Sequence, residues 1–376
     1  MNILYSTENL NTKRNAPYKY YFNNNKNCLI LNIPCDYSFQ TFSKKILFFS
    51  FFKILFKKIL ANYKLLKLLK KEENIESIII LFPGIIDIIF LNIFGRKYSD
   101  LIIYDYFISF FQTIVVDRKI ITSKKLKFII FHLEKVFLKI PNLLIVETIP
   151  IKDYLLKTFN NSLKINCLLT PISFQFLNLN NYRIKNEKKI DFIYWGTYIN
   201  LHGLDILLNA AKINNDNFNI YLLGDGQEYN NIYNLSKKLN LKNITFDKTL
   251  FAKEERFDYF FKLIANSKIA IGPLSNSDKN KIVITSKVIE AAALNIPIIS
   301  YKNDCIDFYD MEKNAYYVNE PLIENTASTM KLAVDNYDKN LDDEITTNAF
   351  NWYKKFCTQE SFDKNLFDAI KNFKNT

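Results

Sequence analysis

Four glycines in the second half of the sequence stand where backbone could close around a phosphate group. Only seven glycines occur in 376 residues, so their positions are informative. Gly196 and Gly203 border one loop, and Gly224 and Gly226 border the next. Glycine permits positive φ and close approach of backbone N–H groups to an anion, which a following helix N-terminus also favours. Ordinary turns are the alternative for one such loop; two in succession predict an anionic ligand.

A lysine and a glutamate open a helix that is otherwise apolar. Ser286 is suited to cap this helix, and Lys287 and Glu290 lie three residues apart on one helical face. A surface ion pair is the alternative. Because the residues that follow are almost wholly apolar, the helix is expected to be buried, and charges kept at its first turn indicate a polar ligand. Lysine suits phosphate, and glutamate suits a pair of hydroxyl groups.

The elements that must position these residues alternate along the chain. In the second half, predicted helices at 203–213, 228–239, 254–266 and 286–294 separate strands at 191–195, 219–223, 243–246, 269–272 and 297–300. In the first half, helical patterns at 51–71, 85–94, 123–139 and 150–158 accompany strands at 78–82, 101–104 and 143–146. Single helices between strands imply right-handed crossovers and parallel, doubly wound sheets. The glycines would then lie at strand carboxyl ends, where such sheets bind ligands.

An Asn-rich polar stretch divides the chain. We expect an α/β protein of two Rossmann-like domains with parallel sheets and a cleft between them. The first domain spans 1–170, a linker follows at 171–190, and the second domain spans 191–345. Helices in 346–376 are expected to pack back toward the first domain.

Several classes of protein are disfavoured by composition. Five scattered cysteines without a CxxC pair argue against a disulfide framework or a zinc site and fit a reducing compartment. His132 and His202 are the two histidines, which disfavours a His-centred hydrolytic triad. The apolar segments 78–94 and 101–116 are broken by residues such as Pro83 and Asp87. We therefore expect a soluble cytoplasmic protein without a signal peptide or membrane span.

Positive charge is concentrated in the first half. Residues 1–190 contain 29 Lys+Arg and 13 Asp+Glu, and the whole chain has a net charge of +12. Five lysines fall within an arc of roughly 80° on the helix predicted at 51–71: Lys53, Lys57, Lys64, Lys67 and Lys71. A solvated helix face is one interpretation, and a face resting on anionic lipid is the other. A nucleic-acid groove is disfavoured because arginine is scarce and no recognition motif is present.

Ordered segments of the chain resemble a known family. The strings WGTYINLHG, IYLLGDGQ and DKNKIVITSKVIEAAALNIPIIS, within 191–340, are similar to the donor domain of GT-B glycosyltransferases of the large retaining, nucleotide-sugar-dependent group (glycosyltransferase family 4-like). LFPGIIDIIFLN, LIIYDYFISFFQTIVVDRK and LLIVETIPIKDYLLKTF resemble the acceptor-side domain of one subgroup. The resemblance implies sugar transfer to a glycan or lipid-linked acceptor in cell-surface polysaccharide or glycolipid synthesis, at the inner membrane face.

The resemblance also implies roles for the donor-side residues. Glu290 would bind the ribose hydroxyls, and Gly196 and Thr197 would lie against the diphosphate with Lys287. The pocket would be completed by the remaining donor-side positions: His202, Gly203, Gly224, Gly226 and Lys279. The nucleotide-diphosphate sugar is a co-substrate, no cofactor is expected, and metal is usually dispensable in this fold.

On the acceptor side, the resemblance points to three residues. Asp105, Asp117 and Arg118 match cleft-lining positions, and we expect them to orient the sugar or the acceptor. A helix-end ion pair is the alternative for Asp117 and Arg118.

Departures from the family pattern leave other functions open. Ile282 stands where many relatives carry the first of two glutamates, and His202-Gly203 replaces a common Lys-Gly. Ser6-Thr7-Glu8 stands where a glycine-rich acceptor loop is usual. A catalytically inactive GT-B subunit of an active partner is therefore one alternative, and a nucleotide-sugar epimerase is a less favoured one.

Overall fold

A computed structural model describes residues 1–35, 47–107, 109–117, 121–171, 189–215, 217–249, 257–320, 322–339 and 343–374. Side chains at 47–52, 117, 257, 258, 343 and 374 are not described. The chain divides into unit 1, Met1–Ser173 with Gln359–Thr376, and unit 2, Phe174–Thr358. Most of the predicted linker, 171–190, lies outside the described residues.

Unit 1 contains a parallel sheet of six strands in the order β2-β1-β3-β4-β5-β6. Its strands are β1 (Asn2–Ser6), β2 (Cys28–Asn32), β3 (Ser77–Ile80), β4 (Ile102–Asp105), β5 (Leu143–Val146) and β6 (Ile165–Cys167). Its helices are α1 (Ala16–Asn24), α2 (Leu47–Leu69), α3 (Ile85–Phe94), α4 (Lys124–Phe137), α5 (Ile149–Thr158) and, from the carboxyl end of the chain, α14 (Gln359–Lys374). A π-helical segment, Gln112–Asp117, follows β4.

The strand order decides on which side of this sheet each helix lies. The chain moves one way from β1 to β2 and the opposite way from β2 through β3, β4, β5 and β6. Because parallel crossovers are right-handed, α1 lies on one side and α2 to α5 lie on the other. Contacts agree with this: Tyr18 of α1 packs on Phe362 of α14 at 4.9 Å, and Tyr104 packs on Phe137 of α4 at 5.3 Å.

Unit 2 contains a second parallel sheet, in the order β12-β11-β10-β7-β8-β9. Its strands are β7 (Ile190–Trp195), β8 (Ile220–Leu223), β9 (Ile244–Asp247), β10 (Ser267–Ile271), β11 (Ile298–Tyr301) and β12 (Tyr316–Val318). Its helices are α6 (Leu204–Ile213), α7 (Tyr229–Lys238), α8 (Phe257–Ala265), α9 (Asp278–Ile282), α10 (Ser286–Ala293), α11 (Cys305–Phe308), α12 (Ile323–Asp338) and α13 (Asp343–Phe356). The strand order reverses between β7 and β10, which is where Rossmann-type sheets bind ligands.

Both faces of the central strand β7 are buried. Phe192 and Tyr194 join one apolar cluster, and Ile193 and Trp195 join the other. Strands covered by helices on both faces read as continuous apolar runs, which is the pattern IDFIYW shows. The ends of this strand are therefore fixed by packing on two sides.

The predicted fold class, two α/β units with parallel sheets, is confirmed. Each of the five strands predicted in the second half is present, and β12 is added. In the first half β1, β2 and β6 were not predicted, because β6 has three residues and the other two mix apolar residues with Asn or Ser. Among the described residues, no helix is long and apolar enough to cross a membrane.

Backbone packing at the carboxyl ends of β7 and β8 gives a testable requirement for glycine. Gly224 has φ +135°, and a Cβ there would lie 2.0 Å from the carbonyl oxygen of Gly196. We expect Gly224→Ala to lower the free energy of unfolding by about 2 kcal/mol or more, since it adds backbone strain and a clash. Urea unfolding followed by circular dichroism measures this.

Gly95→Ala is the matched control. Gly95 has φ −118°, and its nearest obstacle is the flexible end of the Leu91 side chain. An equal loss of stability in both variants would contradict the special requirement at Gly224.

Candidate functional site

The loop after β7 brings a lysine over the backbone of a glycine. A Cβ on Gly196 would lie 2.9 Å from Nζ of Lys287, the second residue of α10. Lys287 is 6% exposed, and its Nζ lies 4.9 Å from the centre of the Tyr194 ring. The ammonium group is therefore held at the switch point of the sheet by the shape of the loop.

His202 lies on the other side of this lysine. Nε2 of His202 is 3.1 Å from Nζ of Lys287, and Nδ1 is 2.8 Å from the carbonyl oxygen of Thr197 and 2.6 Å from the Tyr194 hydroxyl. Burial lowers the pKa of His202 well below its ordinary value, and the charges of Lys287 and Lys279 lower it further. His202 is therefore neutral.

A neutral His202 in this position has one consistent tautomer. The Lys287 ammonium donates to Nε2, so Nδ1 carries the proton and donates to the Thr197 carbonyl oxygen. His202 was predicted to line the donor pocket; in the structure its Nε2 faces Lys287, and its Nδ1 faces the Thr197 carbonyl oxygen and the Tyr194 hydroxyl. The histidine orients the lysine and adds no positive charge of its own.

Glu290 lies one helical turn after Lys287 and is held by the neighbouring strand. Its side chain is 2% exposed, and Oε2 accepts a hydrogen bond from Nε1 of Trp195, the last residue of β7. One strand end therefore positions the lysine through Gly196 and the glutamate through Trp195. A carboxylate fixed in this way has a defined orientation toward any bound hydroxyl groups.

Loops on the two sides of the switch point are hydrogen-bonded to each other. The Leu274 N–H donates to the His202 carbonyl oxygen at 3.1 Å, and Ser275 Oγ donates to that of Leu201 at 2.6 Å. Gly203 has φ +62°, and a Cβ there would lie 2.8 Å from the Ser275 nitrogen. These contacts fix the start of α6 against the loop after β10.

Gly224 and Gly226, which follow β8, leave room for the backbone of the loop after β7. A Cβ on Gly226 would lie 2.6 Å from the backbone nitrogen of Tyr198, and the Tyr198 N–H donates to the Asp225 carbonyl oxygen at 3.0 Å. Thr197 and Gly226 are both exposed. The two loops thus form a joined rim that leaves part of its backbone open to solvent.

The segment that leads into α10 is fastened by two asparagines. Asn303 Nδ2 donates to the carbonyl oxygens of Asn280 and Val283 at 3.0 and 2.8 Å, and Asn280 Nδ2 donates to that of Ser275 at 2.6 Å. Lys279, in α9, is thereby held near enough to His202 to affect its pKa. The structure therefore brings together Gly196, Thr197, His202, Lys279, Lys287 and Glu290; that they bind one ligand stays a prediction.

In unit 1, Asp105 occupies the carboxyl end of β4 and is fully buried. Arg14 donates to it from Nε at 2.9 Å and from Nη2, and the Tyr18 hydroxyl donates at 3.1 Å. Nη1 of Arg14 also donates to Glu147 at 2.9 Å. Burial raises the pKa of Glu147, although Arg14 opposes the shift. Asp105 is thus part of a buried charge cluster, and its contact with a sugar or acceptor stays a prediction.

The segment after Asp105 is anchored by a buried carboxylate of α4. Glu134 accepts hydrogen bonds from the Tyr106 hydroxyl, from Ser109 Oγ at 3.1 Å, and from the N–H groups of Phe110 and Phe111 at 2.7 and 2.9 Å. Burial raises the pKa of Glu134. Farther along, Arg118 and the side chain of Asp117 lie outside the described residues.

The five lysines expected to face a membrane are all exposed: Lys53, Lys57, Lys64, Lys67 and Lys71. Lys71 lies two residues past the end of α2. The neighbouring Lys58 instead points inward and pairs with the buried Glu8.

Several residues of these sites were absent from the sequence-based assignment. Trp195 and Tyr194 directly precede Gly196, so their position next to a glycine loop was an available signal. Arg14, Glu147 and Glu134 had no such signal, because their partners lie 91, 133 and up to 28 residues away.

Comparison with known proteins identifies the domain type. Residues 179–352 match the family model described as Glycosyl transferases group 1. A sequence search of curated proteins finds no match.

Solved structures of glycosyltransferases share the fold of the whole chain. Sucrose-phosphate synthase from Thermosynechococcus elongatus has a TM-score of 0.67 at 13% identity, over 100% of this chain and 89% of that one. A glycosyltransferase from Rickettsia africae has a TM-score of 0.65 at 13% identity, over 100% and 99%. Anabaena HepE in complex with UDP has a TM-score of 0.67 at 10% identity, over 99% and 100%.

At these identities the structural likeness shows the fold, which is GT-B, and the family match adds the class of activity. Residues 179–352 thus resemble a Glycosyl transferases group 1 domain within a GT-B fold, and the prediction that the protein is a glycosyltransferase is confirmed.

Proposed function

We propose that this enzyme moves a sugar from a nucleotide-diphosphate sugar to a glycan or lipid-linked acceptor, with retention at the anomeric carbon, in the synthesis of a cell-surface polysaccharide or glycolipid. The observation that carries the proposal is the pairing of Lys287 over Gly196 with Glu290 at the switch point of unit 2. That UDP binds to HepE, which has the same fold, supports a nucleotide donor.

The lysine suits the charge that develops during transfer. The bond between C1 of the sugar and the diphosphate oxygen breaks, the acceptor oxygen bonds to C1 and loses its proton, and the diphosphate leaves with added negative charge. A fixed ammonium group and backbone N–H groups stabilise such charge without having to reorganise. Lys287, with Lys279 close by, supplies the positive charge, and neutral His202 keeps the Lys287 ammonium in place.

The glutamate suits the nucleoside. A carboxylate accepts hydrogen bonds from two adjacent hydroxyl groups, and the Trp195 indole holds Glu290 in one orientation. We assign the ribose of the donor to Glu290, and the base to the region beyond Gly224 and Gly226.

The location we propose is the cytoplasmic face of a membrane. The exposed lysines of α2 attract anionic headgroups, each by on the order of 1 kcal/mol. This would place the enzyme beside a lipid-linked acceptor.

An inactive binding subunit is the second candidate. Ile282, at the end of α9, offers no carboxylate at the position where many relatives carry one. Such a protein would keep the fold but would not turn over a donor.

Donor binding gives the direct test. UDP, GDP, ADP and their sugar conjugates, at about one hundred times the dissociation constant, should stabilise the protein by roughly 2.7 kcal/mol, which a thermal-shift assay detects. Glu290→Gln keeps an acceptor for the Trp195 indole but removes the charge, and we expect it to weaken binding of the effective nucleotide about tenfold or more.

Glu324→Gln, at an exposed position of unit 2, is the control and should bind as the parent does. A shift without turnover would favour the inactive subunit, and the absence of any shift would overturn the donor site.

The neutral state of His202 predicts a dependence of stability on pH. Its pKa in the folded protein lies below the unfolded value of about 6.5, so below that pH the unfolded chain binds one more proton and stability falls. We expect the parent to lose about 1 kcal/mol more than His202→Gln for each pH unit below 6.5. Urea midpoints at pH 7.5 and 5.5 measure the difference; parallel losses would mean that the pKa of His202 is the same in the folded and the unfolded chain.

The buried position of Asp105 predicts a structural cost of replacing it. Asp105→Asn leaves Arg14 with one carboxylate partner, and we expect about 3 kcal/mol of destabilisation, seen as a lower melting temperature. Asp100→Asn, at an exposed position, should have little effect. Lost turnover at an unchanged melting temperature would instead show that Asp105 acts directly on a ligand.

A further inference from the structure

The outward side of helices α2, α3 and α4 carries no described acidic side chain. Helix α2 contains no Asp or Glu, and the single acids of α3 and α4, Asp87 and Glu134, are 0% and 4% exposed. Asp87 accepts hydrogen bonds from Thr7 and Asn62, and Glu134 accepts from the segment after β4. The charges left outside are lysines, and those exposed on α2 and α4 are Lys53, Lys57, Lys64, Lys67, Lys124 and Lys125.

The same helices expose large apolar side chains beside these lysines. On α4, Phe128, Leu133 and Val136 are 64%, 64% and 65% exposed. Ile93 and Phe94 of α3 and Phe56 and Tyr63 of α2 are more than half exposed. Single exposed apolar residues are common, but a patch on three helices marks a surface that contacts something apolar.

Helix α4 differs from an ordinary amphipathic helix, which turns its apolar residues toward the core. Its inward side carries the Glu134 carboxylate along with Phe137, while Phe128, Ile129, Leu133 and Val136 point outward. At 100° per residue these four fall within an arc of roughly 140°. The helix therefore presents its wider apolar stripe to its surroundings.

One surface combines these features. Helices α2, α3 and α4 lie on the same side of the unit 1 sheet, opposite α1, and α2 packs on α3. Arg96, which follows α3, donates from Nη1 to the carbonyl oxygen of Ile140, which follows α4, at 3.1 Å, so the ends of these two helices are neighbours. We call this surface the basic apolar face; it comprises the exposed lysines and apolar side chains of α2, α3 and α4 named above.

We infer that the basic apolar face is seated in an anionic lipid monolayer, with Phe128, Leu133 and Val136 of α4 and Ile93 and Phe94 of α3 among the acyl chains. This inference rests on the membrane contact in the proposed function. It adds the insertion of apolar side chains to the attraction between lysines and anionic headgroups. A bilayer meets apolar side chains with acyl chains and lysines with anionic headgroups at once. A second copy of the chain would instead set lysines against lysines, which is unfavourable.

Vesicle co-sedimentation tests the inference. The full-length protein should bind phosphatidylglycerol-containing vesicles, and a fraction of that binding should persist in 0.5 M salt (~4 Å Debye length), where exposed charges are largely screened. Phe128→Gln with Leu133→Gln should reduce the binding about tenfold or more, since two apolar side chains no longer leave water. Phe367→Gln on α14, an apolar side chain exposed to a similar degree on the opposite side of the sheet, should bind as the parent does.

A fluorescent reporter locates the insertion. Emission of Phe128→Trp should shift to shorter wavelength on adding anionic vesicles, whereas that of Phe367→Trp should not. Equal vesicle binding by the parent and the Phe128/Leu133 variant, complete release by salt, or no emission shift would each overturn insertion. A concentration-dependent dimer that the Phe128/Leu133 variant abolishes, without vesicle binding, would assign the face to self-association.

Donor binding separates this inference from the proposed function. The Phe128/Leu133 variant should keep the nucleotide-induced thermal shift of the parent, because its changes lie in unit 1, whereas Lys287 and Glu290 belong to unit 2. Loss of vesicle binding with an intact shift supports the assigned face. If the parent binds vesicles but no nucleotide shifts its melting temperature, the donor site is overturned and the assignment of the basic apolar face stands.

Discussion

The candidate site depends on the burial of one ammonium group beside a neutral imidazole. Lys287 is enclosed by the Gly196 backbone, the Tyr194 ring and Nε2 of His202. A neutral imidazole accepts a hydrogen bond from the ammonium group and leaves its positive charge intact. Burial keeps His202 neutral, and the lysine reinforces this, so each group stabilises the state that the other requires.

The same constraint explains the loops around it. The Lys287 ammonium reaches its position only because residue 196 has no side chain, and the Gly196 carbonyl in turn leaves no room for a Cβ at residue 224. The loop after β10 holds His202 through its backbone. The loops that follow β7, β8 and β10 therefore all help to position the Lys287 ammonium group. A parallel sheet that reverses order between β7 and β10 provides these adjacent strand ends.

Unit 1 buries carboxylates, whereas the candidate site of unit 2 buries a lysine. Its acidic side chains Asp87, Asp105 and Glu134 are buried and fully engaged in hydrogen bonds that fix loops, while lysines occupy the outward side of the helices. With Asp87 and Glu134 buried, the described charged side chains on the outward sides of α2, α3 and α4 are lysines, and together with the exposed aromatic and aliphatic residues they suit the membrane contact proposed above. The two proposed roles, donor binding and membrane contact, thus belong to different units: the first to the candidate site of unit 2 and the second to the basic apolar face of unit 1.

The sequence by itself determined the α/β class, five of the six strands of unit 2 and the residues around the glycine loops, because the spacing of apolar residues and the positions of glycines are local properties. It also indicated Lys287 and Glu290, since charges at the start of an apolar helix are conspicuous. Only the tertiary structure showed that His202 serves Lys287, that Trp195 holds Glu290 and that Arg14 joins Asp105 to Glu147. Those partners lie between 85 and 133 residues apart, and no local pattern encodes which distant side chains a sheet edge will bring together.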